Sequence, residues 1–197
     1  SDEAASGVVS DPRSDTVTNM TVRSHFAADK AAAAIERLAR DHPGIDLHTA
    51  LKAFYFADKS HLNAERRPIF GARYRAMKYG PVPLEIYEMM KGEAYWLAEL
   101  GQDDYPWRLD GFRLAGDRGN VPRFPDDVFS ASDLEHLRAG LDKSLGMDFT
   151  ARTAATHGPD WQAANMGMMR YEDMIEETPQ KPVILQYLAD YGGHVLL

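Results

Sequence analysis

The 197-residue chain contains no cysteine. Disulfides, thiolate metal ligands and a cysteine nucleophile are therefore excluded, and the absence suits a reducing cytoplasm. No run of about 18 apolar residues occurs, so no membrane span is expected. Residues 1–19 also lack the apolar stretch of a secretory signal. Cations are in deficit: 22 Lys and Arg against 30 Asp and Glu give a formal charge of -8. That balance disfavours indiscriminate binding to nucleic acid, where phosphate must be neutralised by surplus Lys and Arg. No phosphate-binding loop, dinucleotide glycine fingerprint, HExxH zinc motif or nucleophile elbow is present. His61 and Glu65 lie four apart on a predicted helix without a second histidine at that spacing, so neither a metal nor a cofactor is expected. His61 is expected on the exposed side of its helix or against a nearby carboxylate. Asp58 and Glu65 read as a solvated helix face, and no residue is singled out for catalysis.

What is present is an ordinary share of core-forming residues, 44% hydrophobic and 10% aromatic, enough for one domain. Residues 1–19 are small, polar and acidic, with only three valines to bury, and read as a flexible tail ahead of a single domain over 20–197. Apolar spacing predicts a helix from Phe26 to Arg40 and a second from an Asp46 cap to about Asn63. Residues 72–79 read as extended, Gly80-Pro81-Val82-Pro83 as a break, and Pro83 as the first position of a helix running to about Lys91. Asp110-Gly111 between alternating segments marks an antiparallel hairpin, with the 116–120 segment as the other candidate turn. Ser132 to Glu135 resembles a capping box, opening a helix whose Leu134, Leu137, Leu141 and Leu145 form one stripe expected to be buried. Shorter helices are predicted at 148–156, 160–166 and 168–177, followed by a last one ending at Gly192-Gly193. The fold class is therefore α+β, mainly α-helical, a compact helical domain with a small antiparallel β-hairpin.

One segment departs from the acidic average. Residues 58–78 carry Lys59, Arg66, Arg67, Arg73, Arg75 and Lys78 against Asp58 and Glu65, a surplus of +4, with Phe70, Tyr74 and Tyr79 interleaved. Three readings follow: a protein-partner surface, a wing-like nucleic-acid contact, or pairing with acidic patches such as Asp126–Asp127 or Glu176–Glu177. Met166, Met168 and Met169 near Trp161 form either an adaptable groove or, more commonly for such residues, irregular core filling.

The run Leu51 to Leu62, LKAFYFADKSHL, resembles the YFADK-x-HL signature of the Panacea domain family, the SocA-like antitoxins. The resemblance continues through Arg67-Pro68-Ile69, Gly71, Tyr74, Ala76 to Pro83 and Tyr87, then Phe129-Ser130, Ser132-Asp133-Leu134, Thr156-His157 and Trp161. It spans roughly residues 25–177. It implies a cytoplasmic, non-enzymatic antitoxin of a toxin-antitoxin system that neutralises a cognate protein toxin by direct contact. The SocA-type member also acts as an adaptor that presents its toxin to the ClpXP protease, and the same mechanism is implied for a close relative. Within the motif, Lys59, Arg73, Arg75 and Lys78 are expected to be exposed and, with Tyr74 and Tyr79, to contact the partner. The competing reading is a winged-helix-like, DNA-binding regulator using residues 46–91.

Overall fold

The computed structural model describes residues 25–116 and 121–191. The predicted tail, the Gly-rich turn candidate at 117–120 and the last six residues lie outside the described residues. The chain begins with α1 (Ala28–Asp41), whose Ala31 to Ala34, Ile35 and Leu38 are buried. Helix α2 (Leu47–Glu65) runs through the centre of the domain. Asp46 caps it by accepting from the Thr49 backbone N–H at 2.9 Å, and Arg66 ends it in the left-handed region, φ 67°. Nearly every residue from Thr49 to Asp58 is buried, which is why its three consecutive aromatics all find apolar neighbours.

The stretch after α2 is a hairpin. Strand β1 (Tyr74–Met77) pairs antiparallel with β2 (Gly80–Pro83), with Met77 opposite Gly80 and Tyr74 opposite Pro83. The expected break at 80–83 is thus a strand. Gly80 permits it, with φ 111° and a position where a Cβ would lie 2.4 Å from Thr156 Oγ1. Helix α3 (Leu84–Lys91) follows with Pro83 as its N-cap rather than its first turn, and α4 (Tyr95–Leu100) comes next. The second hairpin joins β3 (Trp107–Asp110) to β4 (Arg113–Gly116) across Gly111-Phe112, close to the predicted Asp110-Gly111 turn.

Helix α5 (Ala131–Leu145) opens with a capping box two residues earlier than expected. Ser130 Oγ accepts from the Asp133 N–H at 3.1 Å, and Asp133 accepts from the Ser130 N–H at 3.0 Å. The larger difference concerns its buried face. Asp133, Gly140 and Ser144 point inward, whereas Leu134, Leu137 and Leu141 are only half-buried and Leu145 is exposed. The reason is the closeness of α5 to α2: a Cβ at Gly140 would stand 2.7 Å from the Ala53 carbonyl oxygen. Only small residues fit along that seam.

Helices α6 (Phe149–Thr156), α7 (Pro159–Ala164), α8 (Tyr171–Met174) and α9 (Lys181–Tyr191) complete the domain. Residues 168 and 169, predicted to open a helix, instead lie with Gly167 beside β1. Ala76 N–H donates to Gly167 O at 2.9 Å and Met169 N–H to Tyr74 O at 2.8 Å. The architecture is mainly helical α+β with two small antiparallel hairpins.

Candidate partner-binding face

The polar residues of the α2 motif are internal fasteners. Asp58 is fully buried and accepts from the Ile69 N–H at 2.8 Å, the Phe70 N–H at 3.1 Å and the Tyr74 hydroxyl at 2.5 Å. Burial pushes its carboxyl up to about 6, with those three donors working in the opposite direction. The solvated-face reading of Asp58 is therefore corrected: it tethers the link after α2 and the first strand to the helix. Tyr55 donates its hydroxyl to Asp160 of α7, and Lys59 Nζ lies 3.3 Å from the same carboxylate oxygen. Asp160 also accepts from the Trp161 N–H at 2.8 Å.

His61 is buried rather than exposed. Its Nδ1–H donates to Arg67 O at 2.7 Å, which leaves Nε2 to accept from the Ser132 hydroxyl at 2.9 Å. Burial holds this imidazole below its ordinary value, in keeping with the neutral ring that the two bonds require. Asp133, 3.3 Å from Nε2, is occupied by Lys30 at 2.8 Å and Arg67 at 3.0 Å. Lys52 is buried, with its ammonium donating to Pro81 O at 2.8 Å. Burial and then the nearby Arg152 push it down to about 7. Among the described residues no group of three His, Asp or Glu side chains is arranged to hold a metal ion.

Such bonds engage three of the six cations of the basic segment. Lys59 is turned toward Asp160, Arg67 is paired with Asp133, and Arg73 bonds Glu85 at 2.6 Å while its guanidinium remains largely exposed. The partners differ from the acidic patches expected: Asp126 faces Arg37 and Glu177 faces Lys181. Tyr74 is 2% exposed and makes no part of the surface, because strand alternation sends Tyr74 and Ala76 inward and Arg75 and Met77 outward. Of the expected contact set, Tyr74 is therefore withdrawn into the core, Lys59 is partly exposed beside Asp160, and Arg73 is exposed but held by Glu85. Arg75, Lys78 and Tyr79 stay in it, exposed at the hairpin, and neither Arg75 nor Lys78 makes an ion pair among the described residues.

Apolar side chains gather around those two cations. Met77, Tyr79, Phe149, Met166 and Met168 are each 40–49% exposed. Arg75 stands opposite Met168, the Tyr79 and Phe149 rings are 5.2 Å apart, and Trp161 Nε1–H donates to Met77 O at 2.8 Å. His48 supports the hairpin tip, 3.1 Å from Tyr79 O and 4.2 Å between ring centres from Phe149. Asn165 and Met166 both adopt positive φ, 45° and 66°, which turns the chain so that Met166 and Met168 face outward. Met169 alone of the three methionines fills the core. Met77 and Phe149 escaped sequence reasoning. Met77 was legible only through the alternation of β1, and Phe149 arrives from a distant helix.

The described residues contain no helix long and apolar enough to cross a membrane. No curated protein and no solved structure matches the chain. Residues 51–162 match the family model described as antitoxin SocA-like, Panacea domain, and so include α2, both hairpins, α5 and the Asp58, Asp133 and Asp160 fasteners. That match supports an antitoxin-like role. Covering more than half of the sequence, it establishes that the chain belongs to the SocA-like antitoxins of the Panacea domain family.

Proposed function

We propose that the protein neutralises a cognate protein toxin by direct contact, without catalytic activity of its own, and that the toxin seats on the outer face of the β1–β2 hairpin. The observation that carries this reading is the pair of free cations, Arg75 and Lys78, set among five half-exposed Met, Tyr and Phe side chains. Aromatic, Met and Arg side chains are the types enriched where protein interfaces bury their anchors. The nucleic-acid reading loses support on the same face, since two free cations offer few phosphate contacts. The buried Asp58, His61 and Asp160 are each bonded to backbone and to a neighbouring side chain, which favours a scaffold over an active site at those positions.

The test is co-expression with the protein encoded by the adjacent gene. Growth rescue and a co-purifying complex burying about 1,000 Å² or more are expected. Arg75→Glu with Lys78→Glu abolishes rescue while thermal unfolding stays unchanged. Persistent lethality with this protein in excess refutes the antitoxin reading, and undiminished rescue by the double variant refutes the face. The SocA-type resemblance extends the proposal to cytoplasmic delivery of the toxin to ClpXP. Purified protease then degrades the toxin faster when this protein is added, and an unchanged rate removes the adaptor step.

A further inference from the structure

A second unpartnered surface lies away from the hairpin. Helix α5 packs along α2, and an open groove of about 560 Å³ lies between α1, α2 and α5. Phe54 of α2 forms its floor, Leu38 lines the α1 side, and the half-buried Leu134, Leu137 and Leu141 line the α5 side. The Lys30–Asp133 ion pair at 2.8 Å ties the two walls at one end. None of the groove residues belongs to the hairpin face. This groove exists because α5 packs through Asp133, Gly140 and Ser144, which leaves Leu134, Leu137 and Leu141 at the edge of the core, each only half-buried.

From Ala131 to Asp142 the wall runs about 16 Å, or three helical turns. The rim specifies charge. On α1, Arg37 is engaged by Asp41 and Asp126, each at 3.7 Å. On α5, Glu135, Arg138 and Asp142 make no ion pair among the described residues, leaving two carboxylates against one guanidinium in a chain of net charge -8. The chain's own termini do not complement that rim: residues 1–24 carry four carboxylates against two arginines, and the last six residues carry no Lys or Arg.

We propose that this groove docks a cationic amphipathic helix of a partner protein, its apolar stripe seated against Phe54, Leu134, Leu137 and Leu141 and its Lys or Arg side chains meeting Glu135 and Asp142. The mode is a helix in a groove, with affinity from apolar burial and polarity of choice from the rim. It provides a second partner site that does not depend on what the hairpin binds.

The test uses the full chain and two labelled peptides of about 18 residues, long enough to form a helix. One is an amphipathic Leu/Lys sequence and the other its Leu/Glu counterpart, with binding read by fluorescence anisotropy. The Leu/Lys peptide is expected to bind preferentially, and Leu137→Asp weakens it by about tenfold or more. Glu135→Lys with Asp142→Lys, on exposed positions that leave folding intact by circular dichroism, reverses the preference. Arg75→Glu with Lys78→Glu leaves peptide binding unchanged, which separates this result from failure of the toxin face. Equal affinity for the two peptides, or binding indifferent to both groove variants, overturns the proposal. So does sedimentation that shows a dimer dispersed by Leu137→Asp, which would make a second copy the occupant.

Discussion

Replacing Lys52 by methionine isolates the cost of one buried charge. The ammonium is 2% exposed, has one hydrogen-bond acceptor in Pro81 O, and lies near the Arg152 guanidinium with no carboxylate in ion-pair range among the described residues. Its depression from 10.5 to about 7 corresponds to about 5 kcal/mol against the charged folded form. Between those two values the unfolded chain holds a proton that the folded chain has released, so wild-type stability gains with rising pH across that window. Below about pH 7 both states are protonated and the whole cost is present. Methionine has similar length and no charge, but leaves the Pro81 carbonyl without its donor, a loss of about 1–3 kcal/mol. Lys52→Met is therefore expected to be about 2–4 kcal/mol more stable than wild type near pH 6. The advantage shrinks to nothing or reverses near pH 9, where roughly 2 kcal/mol of the charge cost remains. Urea unfolding of both proteins at about pH 6, 7.5 and 9 gives the difference, in which Asp58 and the other titrating groups largely cancel. His48, which Lys52 and burial both hold low, contributes only a small residual. A difference that does not vary with pH, or a variant less stable than wild type at pH 6, refutes the reasoning.

Four further substitutions probe the frame. Gly140→Leu forces a side chain into the 2.7 Å approach to Ala53 O and is expected to cost about 3 kcal/mol or prevent folding, read by denaturant midpoint. Asp58→Asn removes a carboxyl whose folded value is raised from 3.8 to about 6. Asp58 costs wild type up to about 3 kcal/mol as pH rises across that interval, because the folded form holds the proton longer, and the variant lacks this contribution, so the stability difference between the two changes by that amount. Ser130→Ala removes the side-chain half of the α5 capping box and lowers stability by about 1 kcal/mol, whereas Ser132→Ala acts through loss of the His61 bond instead. Equal effects of cap removal and of an exposed control such as Thr150→Ala would contradict the assignment.

Local signals were legible where local physics decides. Asp46 capped its helix, Asp110-Gly111 marked a hairpin to within a residue, and the aromatic run of α2 was recognisably buried. What failed was set by packing between distant segments. Four leucines at helical spacing predict a buried stripe, but Gly140 admits α2 so closely that the small, polar side of α5 takes the interior. Residues 167–169 pair with β1 across some ninety positions, a contact no window of sequence displays. Tyr74 looked available as an interleaved aromatic, yet the period of a strand, once β1 is a strand, places it beside Asp58. The basic surplus of 58–78 is surface charge only in part, since Lys59, Arg67 and Arg73 are paired with Asp160, Asp133 and Glu85 from three later helices while Arg75 and Lys78 stay exposed.

The same bookkeeping explains what membership of the family does and does not specify. Lys52, Tyr55, Asp58, Lys59, His61 and Tyr74 all lie in the matched region, and each is explained by a bond inside the domain. Their chemistry dictates how α2, the first hairpin, α5 and α7 lock together. Arg75, Met77, Lys78, Met166 and Met168 make the opposite case: among the described residues no internal bond of their side chains requires them to be Arg, Met or Lys, apart from the 5.2 Å approach of Lys78 to the Tyr79 ring. On the proposed toxin face, positions of that second kind are the ones a partner would read. Exchanging these five side chains for those of another family member, with the fasteners untouched, is therefore expected to transfer toxin choice while leaving the unfolding midpoint within about 1 kcal/mol. A transplanted face that still rescues only the original toxin would place recognition elsewhere on the domain.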